Sequence, residues 1–197
     1  MRVKHDPNCT FVIPNAVDPA QFFPDESRFK AIGEGETIKI VFVSRLEYRK
    51  GVDLLIGVIP RILDKFDNVK FIIGGGGGKE DLLRQMLKKY GIQDKVELLG
   101  MLKPNEVRSA LVKGHIFLNC SLTESFCMAN LEAASAGLYI VSTNVGGVPE
   151  VLPSHMIKFA HPNVDAIYEK LADAIKEIRF VDTSTFHEEI SQIYSWW

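Results

Sequence analysis

The feature that most constrains this 197-residue chain is a rhythm. Short, continuous apolar runs recur, each followed by a segment of helical spacing. The runs are Ile38–Val43, Val69–Ile73, Val96–Leu99, Ile116–Asn119, Leu138–Val141 and Met156–Phe159. Helical patterns fall at Val52–Phe66, Lys79–Tyr90, Pro104–Lys113, the stretch before Gly137, Val164–Ile178 and Ser184–Trp197. Pro60 is expected to kink or divide the first of these, because proline lacks the N–H that the helix ladder needs. Strands that read as unbroken apolar runs are buried on both faces, and strands alternating with helices build parallel sheets. The expectation is an α/β fold: a Rossmann-like doubly wound parallel sheet of about six strands. Residues 1–36 read as a loop-rich lead-in, 37–180 as the sheet domain, and 181–197 as a helix cut short.

Composition narrows the function classes. Hydrophobic residues make up 46%, enough for one good core, and the net charge is −2. Such a balance argues against a nucleic-acid partner, which calls for a basic patch. The three cysteines, Cys9, Cys120 and Cys127, follow no metal-ligand spacing, and a reduced compartment is the simplest reading. The sequons at Asn8 and Asn119 carry little weight, since the second follows a run expected to be buried. No apolar run reaches membrane-spanning length.

In doubly wound sheets, ligands gather at the carboxyl ends of the strands, near the point where strand order reverses. That rule directs attention to five loops. After the first strand stand Arg45 and Lys50, a planar fork and a point charge suited to a diphosphate. The alternative is an ordinary solvated charge cluster. After the second come five glycines, Gly74–Gly78, then Lys79. The dinucleotide fingerprint fails because Lys79 occupies its sixth position. The nucleotide triphosphatase loop fails because Ile73 and Glu80 occupy required positions. What remains at Gly75, Gly76 and Gly77 is a backbone that a ligand could approach closely, or a flexible turn. Gly100-Met101-Leu102 follows the third strand, and Gly146-Gly147-Val148-Pro149-Glu150 the fifth.

The fourth loop holds the pair Glu124 and Glu132, eight residues apart. Eight residues advance a helix by about 800°, about 80° off a common face. The carboxylates share a site only if Glu124 precedes the helix and Glu132 lies two turns in. Ser125 would then sit near a helix start, whose unpartnered N–H groups attract anions.

Together, Ser44-Arg45-Leu46 with Lys50-Gly51, Glu124-x7-Glu132 and Gly146-Gly147-x-Pro149-Glu150 resemble the C-terminal domain of the family-four retaining glycosyltransferases of the GT-B fold. Further stretches, Val12–Pro19, Tyr48–Leu55, Gly114–Asn119 and Ser121–Met128, are similar to members that transfer N-acetylglucosamine (GlcNAc) to phosphatidylinositol. The resemblance implies roles. Arg45 and Lys50 hold the diphosphate of UDP-GlcNAc, and Glu132 the ribose hydroxyls. Glu124 is the catalytic carboxylate, binding sugar hydroxyls and placing the anomeric carbon. Gly100, Met101 and Leu102 meet the uracil, and the amides of Phe126, Cys127, Met128 and Ala129 meet the sugar and phosphate. The reaction retains configuration by front-face attack. Neither a cofactor nor a metal is implied, because Arg45 and Lys50 supply the positive charge.

The resemblance also implies partners. The phosphatidylinositol acceptor would be bound by an N-terminal domain absent from this sequence, and other subunits of the transferase complex would assemble with it. The full protein would lie on the cytoplasmic face of the endoplasmic reticulum membrane, with this piece soluble. One departure is Gly78, which stands where the family closes the glycine loop with proline. Other readings are a relative using GDP-mannose or UDP-glucose, a non-catalytic nucleotide-binding module, and a nicotinamide dehydrogenase domain, the last weakened by the failed fingerprint.

Overall fold

The computed structural model describes residues 14–25, 32–33 and 35–194. The apolar run at Phe11–Ile13, Cys9 and residues 195–197 lie outside them. Six strands form one sheet: β1 (Ile38–Val43), β2 (Val69–Gly74), β3 (Val96–Gly100), β4 (Ile116–Asn119), β5 (Tyr139–Thr143) and β6 (Ile157–Ala160). Every pair is parallel and the order is β3-β2-β1-β4-β5-β6. This is the order of doubly wound nucleotide-binding sheets, with its switch point between β1 and β4. The expected fold class and strand number are both found.

Helices cover the two faces. α1 (Val52–Lys65) packs against α2 (Glu80–Tyr90) and α5 (Val164–Glu177); α4 (Met128–Ser135) packs against α3 (Pro104–Leu111) and α6 (Phe186–Tyr194). The strands between them are therefore buried on both sides, which explains their unbroken apolar sequence. Ile40, Val41 and Phe42 of β1 are at most 1% exposed.

Pro60 lies inside α1, yet the helix runs undivided through it. The cost of an interior proline is about 3 kcal/mol. Against it stand Val52, Leu55, Val58, Ile59, Ile62 and Leu63, all buried and distributed on both sides of Pro60. Each contributes about 1.5–3 kcal/mol, so packing outweighs the broken ladder.

The two outer segments belong to the same core. Val17 and Phe22 are buried, Val17 N–H donates to the Tyr194 carbonyl at 3.1 Å, and Ser135 Oγ donates to the Phe22 carbonyl at 2.6 Å. Phe186 and Ile190 of α6 are fully buried. The segment leading in and the last helix thus close over α4, holding the element that carries Glu132.

Candidate functional site

The loops after β1 and β4 meet backbone to backbone at the switch point. Leu122 N–H donates to the Arg49 carbonyl at 2.9 Å. Gly51 has φ 69°, and a Cβ there would lie 1.7 Å from the Cys120 carbonyl oxygen. Only glycine permits that approach, so Gly51 is what lets the turn at Tyr48–Lys50 reach β4.

The consequence is an ion pair. Lys50 Nζ lies 2.5 Å from Glu124 Oε1, with the two side chains 22% and 15% exposed. The same oxygen accepts from Ser121 Oγ at 2.9 Å. Glu124 is also held through its backbone. Gly147 N–H donates to the Glu124 carbonyl at 3.2 Å. A Cβ on Gly146 or Gly147 would lie 1.8 or 2.1 Å from the carbonyl oxygens of Glu124 and Ser125. The loop after β5 therefore seats the loop after β4.

Glu132 differs from the expected geometry. α4 begins at Met128, three residues beyond Ser125, so Glu132 lies one turn into the helix rather than two. The cause is Cys127, whose φ of 71° is left-handed and blocks helix upstream. Glu132 is half-buried, and its carboxylate has no hydrogen-bond or ionic partner among the described residues. Burial raises its pKa above the ordinary 4.5. No side chain caps α4, and within its first turn Asn130 N–H donates to the Cys127 carbonyl at 3.1 Å, which leaves the amides of Met128 and Ala129 with the character of a helix start.

The Cys127 thiol reports the cluster around it. Burial pushes its pKa up to about 11, with smaller effects from the Asn130 N–H, Glu124, Lys50 and Glu132. Both carboxylates and the lysine therefore lie within electrostatic reach of one buried atom. Burial likewise raises Cys120 far above the ordinary thiol range.

Arg45 stands apart from this cluster. Its side chain is 64% exposed and makes one loose contact, 3.4 Å to Glu47. The glycine loop is laced to the β1 loop: Leu46 N–H donates to Gly76 and Lys79 N–H to Leu46. A Cβ on Gly75 would lie 1.8 Å from the Ser44 carbonyl oxygen, and one on Gly77 2.6 Å from that of Leu46. What approaches these glycines is the protein's own backbone. Gly100 accepts from Gly75 N–H at 2.7 Å. Leu102 packs on Gly74, while Met101 lies across Gly76 and is 82% exposed.

Sequence reasoning did not find the buried polar residues beneath Glu124. Asn119 Nδ2 and Asn130 Nδ2 both donate to Ser142 Oγ, at 3.0 and 3.1 Å. Thr143 Oγ1 donates to the Ser121 carbonyl at 2.6 Å. The available signal was polar residues at the carboxyl ends of apolar strands. Lys79, paired with Asp53 at 2.9 Å, was also unassigned. Among the described residues, no three His, Cys, Asp or Glu side chains are grouped to hold a metal ion.

A doubly wound sheet with polar loops at its switch point is an architecture in which nucleotide ligands gather, and the comparisons give the family. Residues 24–180 match the glycosyl transferases group 1 family, and the chain belongs to it. It is 48% identical over 198 residues to the gpi3 subunit of phosphatidylinositol N-acetylglucosaminyltransferase from Schizosaccharomyces pombe, covering 100% of this chain and 42% of that relative. The chain spans 40–42% of the length of the first curated relatives it matches. In fold it is similar to the C-terminal domain of a glycosyl transferase group 1 family protein (LpcC) from Francisella tularensis, with TM-score 0.77 and 21% identity, covering 92% of this chain and 100% of that one. It is also similar to Anabaena Alr3699/HepE in complex with UDP, with TM-score 0.79 and 19% identity, covering 96% and 54%. The sheet is thus the Rossmann-like half of a GT-B glycosyltransferase.

Proposed function

We propose that this domain binds UDP-GlcNAc for a retaining transferase that adds GlcNAc to phosphatidylinositol, the first step of GPI-anchor synthesis. The observation that carries the reading is the meeting of Lys50 and Glu124 at the switch point, with an unpartnered carboxylate, Glu132, on the adjoining helix. The naming of the curated relatives supports the donor and acceptor, and the UDP bound to HepE supports the ligand class.

In this reading the Lys50 ammonium and the exposed Arg45 guanidinium face the diphosphate, where charge develops as the sugar leaves. They supply the positive charge, and the reading invokes no metal. Glu132 accepts hydrogen bonds from the ribose diol, which suits a carboxylate lacking other donors. The amides of Phe126–Ala129 meet the sugar and phosphate, and Gly100–Leu102 border the uracil. Glu124 orients the sugar hydroxyls. The bond from the anomeric carbon to the β-phosphate oxygen breaks, and the inositol oxygen bonds to that carbon from the same face. The inositol proton passes to the departing diphosphate. The acceptor is held by the part of the full protein beyond this chain, and the complete enzyme works with its other subunits at the cytoplasmic face of the endoplasmic reticulum.

Calorimetric titration with UDP, UDP-GlcNAc, GDP and NAD tests the reading. Binding of UDP and UDP-GlcNAc in preference to GDP and NAD is expected. Tighter binding of NAD contradicts it, and tighter binding of GDP reassigns the donor.

A further inference from the structure

Glu124 Oε1 is held by two donors, Lys50 Nζ and Ser121 Oγ, and of these Ser121 is the buried one. Ser121 is 1% exposed, yet its hydroxyl donates to a partly exposed carboxylate. Its own backbone is fixed from two sides. Ser121 N–H donates to Asn119 Oδ1 at 3.1 Å, and the Ser121 carbonyl accepts from Thr143 Oγ1. Asn119 is in turn tied to Ser142 on β5 and to the Cys127 thiol. A chain of buried hydrogen bonds therefore runs from the ends of β4 and β5 to one oxygen of Glu124.

The Lys50 contact alone cannot fix that oxygen once a ligand arrives. An ammonium has three donors and is drawn to any nearby phosphate. In the proposed function, which this inference rests on, the donor diphosphate draws on Lys50 and weakens its hold on Glu124. The Ser121 hydroxyl is buried behind the carboxylate, and its hold does not depend on the ligand. We infer that Ser121 is the positioning residue for Glu124, keeping the carboxylate aimed at the sugar while Lys50 engages the diphosphate. Ser121 does not touch the reacting atoms and acts through Glu124.

The test is a double-variant cycle on this chain, with UDP and UDP-GlcNAc titrated separately. Ser121→Ala should lower the ratio of UDP-GlcNAc to UDP affinity by about fivefold, the effect of one hydrogen bond. Affinity for UDP alone should stay within about twofold. In a Glu124→Ala background, which has no acceptor for the hydroxyl, Ser121→Ala should produce no further change in the ratio. Ser121→Thr keeps the hydroxyl and should keep the ratio. An unchanged ratio in Ser121→Ala, or the same drop with and without the Glu124 carboxylate, overturns the inference while leaving the donor reading intact. Equal loss of both ligands also overturns it, because the hydroxyl would then serve the fold. If the unaltered chain binds neither nucleotide, the donor reading fails and takes this inference with it.

Discussion

Lys50 and Glu124 stand 74 residues apart in sequence, yet their side chains meet at 2.5 Å. The pair joins the first and fourth strand-end loops at the point where the strand order reverses. It also couples two roles that the proposed reading keeps separate, one toward the diphosphate and one toward the sugar.

That coupling makes a prediction. In the proposed reading Glu124, paired with Lys50, would compete with an incoming diphosphate and repel its charge. Glu124→Gln should therefore tighten UDP by up to about fivefold, the range of a partly screened ion pair, and UDP-GlcNAc by less, because the proposed contact to the sugar hydroxyls loses its charge. Lys50→Ala should do the reverse, weakening UDP by roughly 1.5–3 kcal/mol if a charge-assisted hydrogen bond is lost. Calorimetry on the two variants checks both signs. Weaker UDP binding in Glu124→Gln would mean that the carboxylate supports the nucleotide rather than competing with it.

The glycines should separate into two classes. Gly51 has φ 69° and no room for a Cβ beside Cys120, whereas Gly78 has nothing within 4 Å. Left-handed backbone costs other residues roughly 1–2 kcal/mol before any clash. Gly51→Ala should therefore lower the melting midpoint by at least about 4 °C and weaken UDP, since it separates the loops that carry Lys50 and Glu124. Gly78→Ala should change stability by less than about 0.5 kcal/mol. Thermal melts distinguish them, and equal effects would contradict the packing described for Gly51.

Much of the fold could be read from the residues, because parallel strands covered on both faces must be apolar throughout. Runs such as Ile38–Val43 and Ile116–Asn119 admit few other readings. The strand-end loops were legible for the same reason, once the sheet was placed. What could not be read was contact between distant loops. Nothing near Lys50 in sequence announces Glu124, and nothing in Gly75 or Gly77 says that they pack on Ser44 and Leu46. Pro60 misleads because local propensity is a smaller quantity than the burial on either side of it. The start of α4 was misplaced because a left-handed cysteine has no sequence signature.

Glu132 should respond to pH. Its pKa is raised by burial, so the folded state holds this proton more tightly than the unfolded chain does. The contribution to stability is then greatest below the ordinary value of 4.5 and is lost as pH rises through the folded value. Glu132→Gln removes the buried charge and should stabilise the fold at neutral pH relative to the unaltered chain. The difference should shrink toward pH 4. In the proposed reading the same change should weaken UDP, because a neutral amide oxygen accepts from the ribose diol less strongly than a carboxylate. Denaturant melts across pH 4–8 check the sign; a loss of stability at neutral pH would mean that Glu132 has a favourable partner in the fold.

The most direct measurement is a crystal structure of this chain soaked with UDP-GlcNAc. The account predicts the diphosphate within hydrogen-bonding distance, roughly 3 Å, of Lys50 Nζ. It predicts the ribose hydroxyls on Glu132 and the sugar beside Glu124, with Arg45 drawn in from solvent. Nucleotide bound instead in the groove of about 490 Å³ between α1 and α2, lined by Ile56, Arg61 and Tyr90, with Lys50 still closed on Glu124, would contradict it.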